Sequence, residues 1–490
     1  MTPIMGWASW NCFRTNISEE LIKEQADALV RTGLAECGYT YLNMDDGFQG
    51  GRDSNGRILF HKERFPNGIK VIADYAHSLG LNAGIYSDAG DNTCGYYYDA
   101  EGDSGEGVGL YTHEEDDLAM YLDEFGFDFI KVDWCGGVRL GLDEEEQYTK
   151  IGNIIDELRQ KSGRSIVYNI CRWQFPGTWA MSVADSWRTA ADICPEFSSI
   201  LHQLDNIKAL RKYTGPGHVN DLDMMQLGNG MNYVEEKTHF SMWCMMSTPL
   251  MIGCDLTKVK KDTLNILKNK EMIALNQDSA CLQAFVTKEF RTEDQQTLLG
   301  EVWVKNLGQD FSKVKAVAFL NRSNEEQRIS VEPHEIGLSN KIIRIRDLWK
   351  QQDVIVNFQE TSFSVVVEPH GVEVFLVEGE SAIEIEDVFE VYGGQEIDLR
   401  VDEILEEKVK TLMDKGAILV DVRTPEEYMN GHETGAINLP YMDIHGMAGS
   451  HLHDKDMPVI VYCSTGKRCS QAGQSLKYLG YKKVFKWKKI

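Results

Sequence analysis

Lys131 and Asp133 stand two residues apart in Asp128-Phe129-Ile130-Lys131-Val132-Asp133-Trp134-Cys135, a spacing that points both side chains the same way on a β-strand. A carboxylate carried to the end of a buried strand beside an ammonium stays ionised, because the cation favours its charged form. The candidate for a second carboxylate is Asp192, in Ser186-Trp187-Arg188-Thr189-Ala190-Ala191-Asp192-Ile193. Two such groups facing each other can hydrolyse a glycosidic bond. One attacks the anomeric carbon while the other protonates the leaving oxygen, at a separation of about 5–5.5 Å in the retaining variant. Asp192 would need a raised pKa to act as an acid at neutral pH, and Arg188, four residues before it, opposes this unless it is aimed at the sugar. Spacing alone leaves a second reading equally open, in which both aspartates simply anchor loops at strand ends.

The neighbouring polar residues favour the chemical reading. Asp45 and Asp46 are adjacent acids suited to bidentate hydrogen bonding with sugar hydroxyls, although a helix cap or a metal site would use the same pair. Trp7 and Trp10 can stack on a pyranose face or pack inside a barrel. Tyr86 and Asp88 close a third apolar run, and Asp221 and Asp223 lie together in Asn220-Asp221-Leu222-Asp223-Met224. Six or more polar groups at strand ends exceed what loop anchoring requires.

The elements that would carry these residues alternate strand and helix. Strands are expected at Ile4–Trp10, Tyr39–Asp46, Asn82–Asp88, Phe127–Trp134, Ser165–Cys171, Ser186–Asp192, His218–Met224 and Pro249–Ile252. Helices are expected between them, for example at Ser18–Thr32, Gly68–Leu79, Glu114–Phe125 and Glu144–Lys161. Eight such units within residues 1–280 match an α/β fold of the (β/α)8 TIM-barrel type, with catalytic groups gathered at the C-terminal mouth of the strands. An open doubly wound sheet is the structural rival. Residues 281–378 change to strands without helices, which indicates an antiparallel β-sandwich. An acidic linker is expected over 379–397, and a separate small α/β domain over 398–490.

The 490 residues carry a formal charge of -26 and a pI near 4.9, which argues against nucleic-acid or anionic-membrane partners. No apolar run is long enough for a membrane-spanning helix, and no basic-then-apolar leader opens the chain, so a cytoplasmic location is expected. The 11 cysteines and 12 histidines show no metal-ligand spacing. Free thiols are therefore expected over a disulfide framework, with no metal and no organic cofactor. Gly105–Gly109 lacks the setting of a dinucleotide fingerprint and reads as a flexible loop near the pocket. Met242, Met245 and Met246 read as core. An oligomer is compatible with the sequence.

Met5-Gly6-Trp7, Tyr41 to Asp46, Gly84 to Asp88, Lys131 to Cys135, Ser186 to Asp192, Asn220 to Met224 and Asn276-Gln277-Asp278 together resemble glycoside hydrolase family 27, the α-galactosidases and α-N-acetylgalactosaminidases. Phe319 to Ser323, Arg346 to Trp349 and Pro369 to Gly371 resemble that family's sandwich. The resemblance covers about three quarters of the chain and implies a retaining exo-glycosidase acting on terminal α-galactosides, with Asp133 as nucleophile and Asp192 as acid/base. It implies a sugar pocket lined by Trp10, Asp45, Asp46, Tyr86, Lys131, Cys171, Arg172, Trp173, Arg188 and Asp223, in which Asp45, Asp46 and Lys131 read the 4- and 6-hydroxyls. Family members often join the cysteines matching Cys94 and Cys135, a bond that a reducing cytosol opposes. Where many members place glutamate or serine facing the sugar's 2-substituent, this chain has Arg172, and Phe175 nearby favours a plain 2-hydroxyl over an acetamido group. Leu222 replaces the proline usual between the paired aspartates. An α-N-acetylgalactosaminidase or a β-L-arabinopyranosidase is the alternative within the family.

Asp421 to Tyr428, Gly431-His432, Gly435 to Pro440 and Val459 to Arg468 resemble the rhodanese domain. The resemblance places Cys463 in a loop at a helix N-terminus with Lys467 and Arg468 nearby, a setting that lowers a thiol's pKa and holds an anion. Cys463 then accepts sulfane sulfur as a persulfide, with a sulfur donor and acceptor as partners, and Cys469 reads as a packed helix residue. A sulfurtransferase whose barrel only binds sugar is the alternative from another class, and the presence of both aspartates weakens it.

Overall fold

The computed structural model describes residues 2–99, 105–308, 313–354, 362–381, 401–441, 444–463, 467–479 and 481–487. Residues 1–200 with 213–384 form one compact unit, and 201–212 with 385–490 form a second.

In the first unit eight strands form one parallel sheet: β1 (Met5–Ala8), β2 (Tyr41–Asn43), β3 (Asn82–Asp88), β4 (Phe129–Asp133), β5 (Val167–Ile170), β6 (Ser186–Arg188), β7 (Val219–Asp221) and β8 (Leu250–Ile252). The order is β8-β1-β2-β3-β4-β5-β6-β7. A parallel bridge from Met225, just beyond β7, to Ile252 of β8 closes the ring, giving the expected TIM barrel. The helices Glu19–Arg31, Lys70–Ser78 and Glu144–Ser162 fall within a residue or two of expectation. Their starts follow from capping: Ser18 accepts from the Leu21 amide, and Asp143 from the Glu146 amide. The helix expected over 114–125 is α-helical to Leu118 and continues as a π-helix over Ala119–Glu124.

Several barrel strands are shorter than the apolar runs suggested. The run ending at Asp46 pairs only to Asn43, and the run ending at Asp192 pairs only to Arg188. Beyond those points side chains replace the sheet ladder. The Asp45 amide donates to Ser9 Oγ, the Asp46 amide to Asp45 Oδ1, and the Ile193 amide to Asp223 Oδ2. Asp45, Asp46, Asp192 and Asp223 thus sit on irregular backbone at the strand mouths, whereas Tyr86, Asp88, Lys131, Asp133 and Arg188 lie within paired strands.

The sandwich pairs β9 (Phe285–Arg291), β10 (Leu298–Asn306), β11 (Val314–Asn321), β13 (Leu338–Asp347), β14 (Gln352–Val354) and β16 (Val372–Ser381) in the order β9-β10-β11-β16-β13-β14. Facing them are β12 (Gln327–Val331) and β15 (Phe363–Val367). All pairs are antiparallel, over a core that includes Val302, Val317, Phe319, Ile329 and Phe375. Gly379–Ser381, expected to open the linker, continue β16, because Gly379 and Ser381 pair with Ile342 and Leu338. The rest of that linker, from 382 to 397, lies outside the described residues. The sandwich is tied to the barrel through the buried Lys305, whose Nζ donates to the Cys244 and Leu275 carbonyls and to Ser247 Oγ at 2.9, 2.5 and 2.7 Å. Burial lowers this ammonium's pKa to about 8.

The second unit holds a parallel sheet of β17 (Asp402–Ile404), β18 (Ile418–Asp421), β19 (Ile437–Asn438), β20 (Val459–Tyr462) and β21 (Val484–Trp487), in the order β17-β21-β20-β18-β19. Helices Glu406–Met413 and Lys467–Tyr478 are among those that connect it. Among the described residues no helix is long and apolar enough to cross a membrane.

Candidate active site

β4 delivers Lys131 and Asp133 as its spacing requires. Lys131 Nζ lies 2.9 Å from Asp45 Oδ2 and 3.8 Å from Asp133 Oδ1, and 5.3 Å from the centre of the Tyr86 ring. Burial opposes the Lys131 charge, but Asp133 and Asp45 outweigh it and hold the ammonium protonated. Burial pushes Asp133 up to about 6, with Lys131 pulling the other way. Asp133 Oδ1 has no hydrogen-bond partner among the described residues, so a lone pair remains available for attack. A cavity of about 50 Å³ brings Asp45, Lys131, Arg188 and Asp223 together with Asn43 and Asn169.

Asp46 faces the neighbouring loop, its Oδ2 accepting from the Gly95 amide at 2.7 Å; burial pushes its carboxyl up to about 7. Tyr86 is fully buried, and its hydroxyl accepts from the Cys94 amide at 3.2 Å. Asp88 accepts three amides, those of Gly90, Cys135 and Gly136, at 2.7, 2.7 and 3.0 Å. It thereby ties the loop after β3 to the loop after β4. A Cβ on Gly90 would stand 2.1 Å from the Gly136 carbonyl carbon, so only glycine lets these backbones meet. Cys94 and Cys135 are joined across the same junction, and Cys94 Sγ lies 3.1 Å from Asp133 Oδ2. No other disulfide is present among the described residues. Ligand atoms of Asp88, Cys94 and Cys135 lie within 4.8 Å of one another, a range that suits a metal ion. Here the sulfurs are bonded to each other and the carboxylate is taken by amides.

The two tryptophans have separate fates. Trp7 is fully buried, with Nε1 donating to the Cys254 carbonyl, so it packs the barrel. Trp10 begins a short helical turn, Trp10–Phe13, at the mouth, with the Arg14 guanidinium 4.3 Å from its ring centre.

On the opposite side Arg188 is buried. Its Nη2 reaches Asp223 Oδ2 at 2.8 Å, Asp192 Oδ1 at 3.1 Å and the Ala190 carbonyl at 3.1 Å. Asp192 is the outlying carboxylate, its side chain 61% exposed. Asp223 occupies the left-handed region at φ 78°. Its amide donates to Asp221 Oδ1, and Trp243 Nε1 donates to its carbonyl. Burial pushes the Asp223 carboxyl up, while Arg188 opposes. Leu222 uses what a proline would lack: its amide donates to Thr248 Oγ1 at 2.9 Å.

Cys171 is buried at the end of β5, with Arg188 Nη1 3.7 Å from its sulfur, and burial pushes its thiol well up. Arg172 is also buried, and its Nε donates to Glu144 Oε2 at 2.6 Å. Trp173 follows at φ 51°, and Phe175 stacks on Tyr213 with ring centres 4.8 Å apart. Sequence reasoning missed Glu144, Ser9 and Trp243. Glu144 looked like one more acid in a helix's first turn, and no spacing links it to Arg172 across 28 residues.

In the second unit Cys463 follows β20 and is buried, as is Cys469. The remainder of the expected anion loop, 464–466, and the Lys467 side chain lie outside the described residues. Arg468 is ion-paired beside that loop. Both of its terminal nitrogens donate to Glu427, at 2.6 and 2.9 Å, because the helix Pro425–Met429 brings that carboxylate alongside.

Comparison with known proteins gives the same division. Residues 2–278 match the family described as alpha galactosidase A, 300–377 its C-terminal beta sandwich domain, and 405–487 the rhodanese-like domain. Alpha-galactosidase 3 of Arabidopsis thaliana is 40% identical over 381 residues, 77% of this chain and 82% of that protein. Alpha-galactosidase A of Cellvibrio japonicus is 36% identical over 397 residues, 76% of this chain and 91% of its own. The crystal structure of alpha-galactosidase I from Mortierella vinacea superposes with a TM-score of 0.68 at 28% identity, covering 78% of this chain and 98% of that one. With its barrel, its sandwich and its cluster of carboxylates at the strand mouths, the chain belongs to the α-galactosidase family of glycoside hydrolases, family 27, and carries a rhodanese-like domain after the sandwich.

Proposed function

We propose that the chain hydrolyses terminal α-D-galactosyl residues from small galactosides by double displacement. The observation that carries this reading is Asp133 Oδ1, without a hydrogen-bond partner among the described residues, beside a lysine held by Asp45. In the first half-reaction Asp133 attacks the anomeric carbon and the leaving oxygen takes a proton from Asp192. In the second, Asp192 takes a proton from water as that water attacks, and Asp133 is released. Asp192 is exposed and lies against Arg188. Asp45, Asp46 and Lys131 read the 4- and 6-hydroxyls, Trp10 and Tyr86 bound the ring, and Arg188 with Asp223 close the far side. Cys171, Arg172 and Trp173 border carbon 2, where Phe175 favours a plain hydroxyl.

The second unit carries sulfane sulfur on Cys463 for a sulfur donor and acceptor. The glycosidase reading is tested with aryl α-galactoside, α-N-acetylgalactosaminide and β-L-arabinopyranoside, using the wild type and Asp133→Asn. Fast α-galactoside cleavage that collapses in the variant is the expected result. Preference for another glycoside moves the substrate to the family alternatives and points at Arg172. Cleavage of none of them overturns the reading.

A further inference from the structure

Asp192 sits on irregular backbone four residues beyond β6, so its own strand does not fix its position. Ile193, the residue that follows it, is held at both its amide and its carbonyl. The Ile193 amide donates to Asp223 Oδ2 at 2.9 Å, and the Ile193 carbonyl accepts from Gln226 Nε2 at 3.0 Å. Gln226 is 4% exposed, and its Oε1 accepts from Asn229 Nδ2 at 2.6 Å, which also donates to the Gly253 carbonyl at 3.1 Å. The polarity of this relay is fixed by its ends. Both ends are backbone carbonyls, so Asn229 must present its NH2 to Gly253 and to Gln226, and Gln226 must present its own NH2 to Ile193. The base of the relay is part of the barrel: the Met225 amide donates to the Met251 carbonyl at 2.7 Å, and the Gly253 amide to the Met225 carbonyl at 3.0 Å.

We infer that Gln226 is a positioning residue for Asp192, which it joins to β8 through the Ile193 carbonyl while touching neither the reacting atoms nor Asp192's carboxylate. This rests on the assignment of Asp192 as acid/base. A carboxyl that must meet a leaving oxygen within hydrogen-bond reach loses its advantage when its backbone drifts. The effect should therefore appear where protonation matters and be absent where it does not.

The test compares kcat/KM, which reports the first half-reaction, for a dinitrophenyl α-galactoside, whose leaving group needs no proton, and an α-galactosyl disaccharide, whose leaving group does. Gln226→Met keeps the size and removes the donor. It should lower kcat/KM on the disaccharide by about 30- to 100-fold while changing the dinitrophenyl substrate by less than about threefold. Asn229→Asp is the second variant. Its carboxylate draws the Gln226 NH2 to itself, turning Oε1 toward the Ile193 carbonyl, and the same pattern should follow with Gln226 intact. Equal losses on both substrates, or no loss on either, would overturn the inference. Asp192→Ala run alongside separates the two failures. If it shows no leaving-group dependence, the assignment of Asp192 falls and the clamp falls with it. If it shows the dependence and the Gln226 and Asn229 variants do not, only the clamp falls.

Discussion

Removing the Lys131 charge gives the sharpest test of how this site holds Asp133, the proposed nucleophile. The change is Lys131→Met, which keeps the stem and deletes the ammonium 3.8 Å from Asp133 Oδ1. At that separation and an effective dielectric constant of about 20, the lost attraction is about 4 kcal/mol, or about a thousandfold in the ionisation constant. Burial pushes the wild-type carboxyl up to about 6, and in the proposed mechanism it must be ionised to attack. Wild-type kcat/KM, which follows the unliganded enzyme, should therefore be flat from pH 7 to 8.5 and fall about tenfold per pH unit well below pH 6. In the variant Asp133 keeps its proton into the alkaline range, and at pH 7 only about one molecule in a hundred is ionised. Its kcat/KM should fall about 100-fold at pH 7 from this cause alone and climb about tenfold per pH unit up to pH 8.5. Loss of sugar contacts lowers the whole curve without changing its slope, so the slope isolates the electrostatic effect. A variant curve with the wild-type shape, merely lower, would refute the reasoning. The assay is hydrolysis of a dinitrophenyl α-galactoside in buffers of constant ionic strength.

Three further outcomes are expected. Arg172→Met leaves the Glu144 carboxylate buried without its guanidinium and should cost about 3 kcal/mol in urea unfolding, most of it recovered when Glu144→Gln is added; additive losses would contradict the pairing. Leu222→Pro removes the amide that donates to Thr248 Oγ1 and should lower the unfolding free energy by about 1–2 kcal/mol, so an unchanged urea midpoint would count against that bond's contribution. Cutting the Cys94–Cys135 bond by Cys94→Ser with Cys135→Ser should raise KM more than it lowers kcat, because the Cys94 and Gly95 amides hold Tyr86 and Asp46; a fall in kcat alone would place the bond's role elsewhere.

The barrel was legible because buried parallel strands read as apolar runs and the helices between them carry capping residues such as Ser18 and Asp143. Strand ends were not, because Asp45 and Ile193 hand their amides to side chains from distant segments, a substitution that local pattern cannot reveal. The sequence marks Phe285–Arg291 weakly as a strand because nearly all of its residues are only partly covered, which blurs the alternation, and Gln352–Val354 because it is short and mostly exposed. Lys131 and Asp133 meet as their spacing required, since both lie within one strand. The partner of Arg172, the amides gathered by Asp88 and the relay through Gln226 depend on tertiary approach between segments that share no sequence period. Burial of the Cys94–Cys135 pair beside Asp133 likewise has no signature in spacing; the pairing came from family likeness.

The lysine that joins sandwich to barrel also bears on where this chain can be cut. Helix Tyr233–Met246 ends at Ser247, and its last turn gives up the Cys244 carbonyl to Lys305, which also takes the Leu275 carbonyl near the end of helix Lys270–Asn276. Two barrel helices thus have terminal acceptors satisfied by a residue of β10. A boundary drawn after the barrel follows sequence similarity but divides one compact unit. A truncated barrel would expose those carbonyls together with the apolar seat of β10. The sandwich is thus a layer packed onto the barrel rather than a loosely appended module, and a barrel moved without it would carry those carbonyls unpaired.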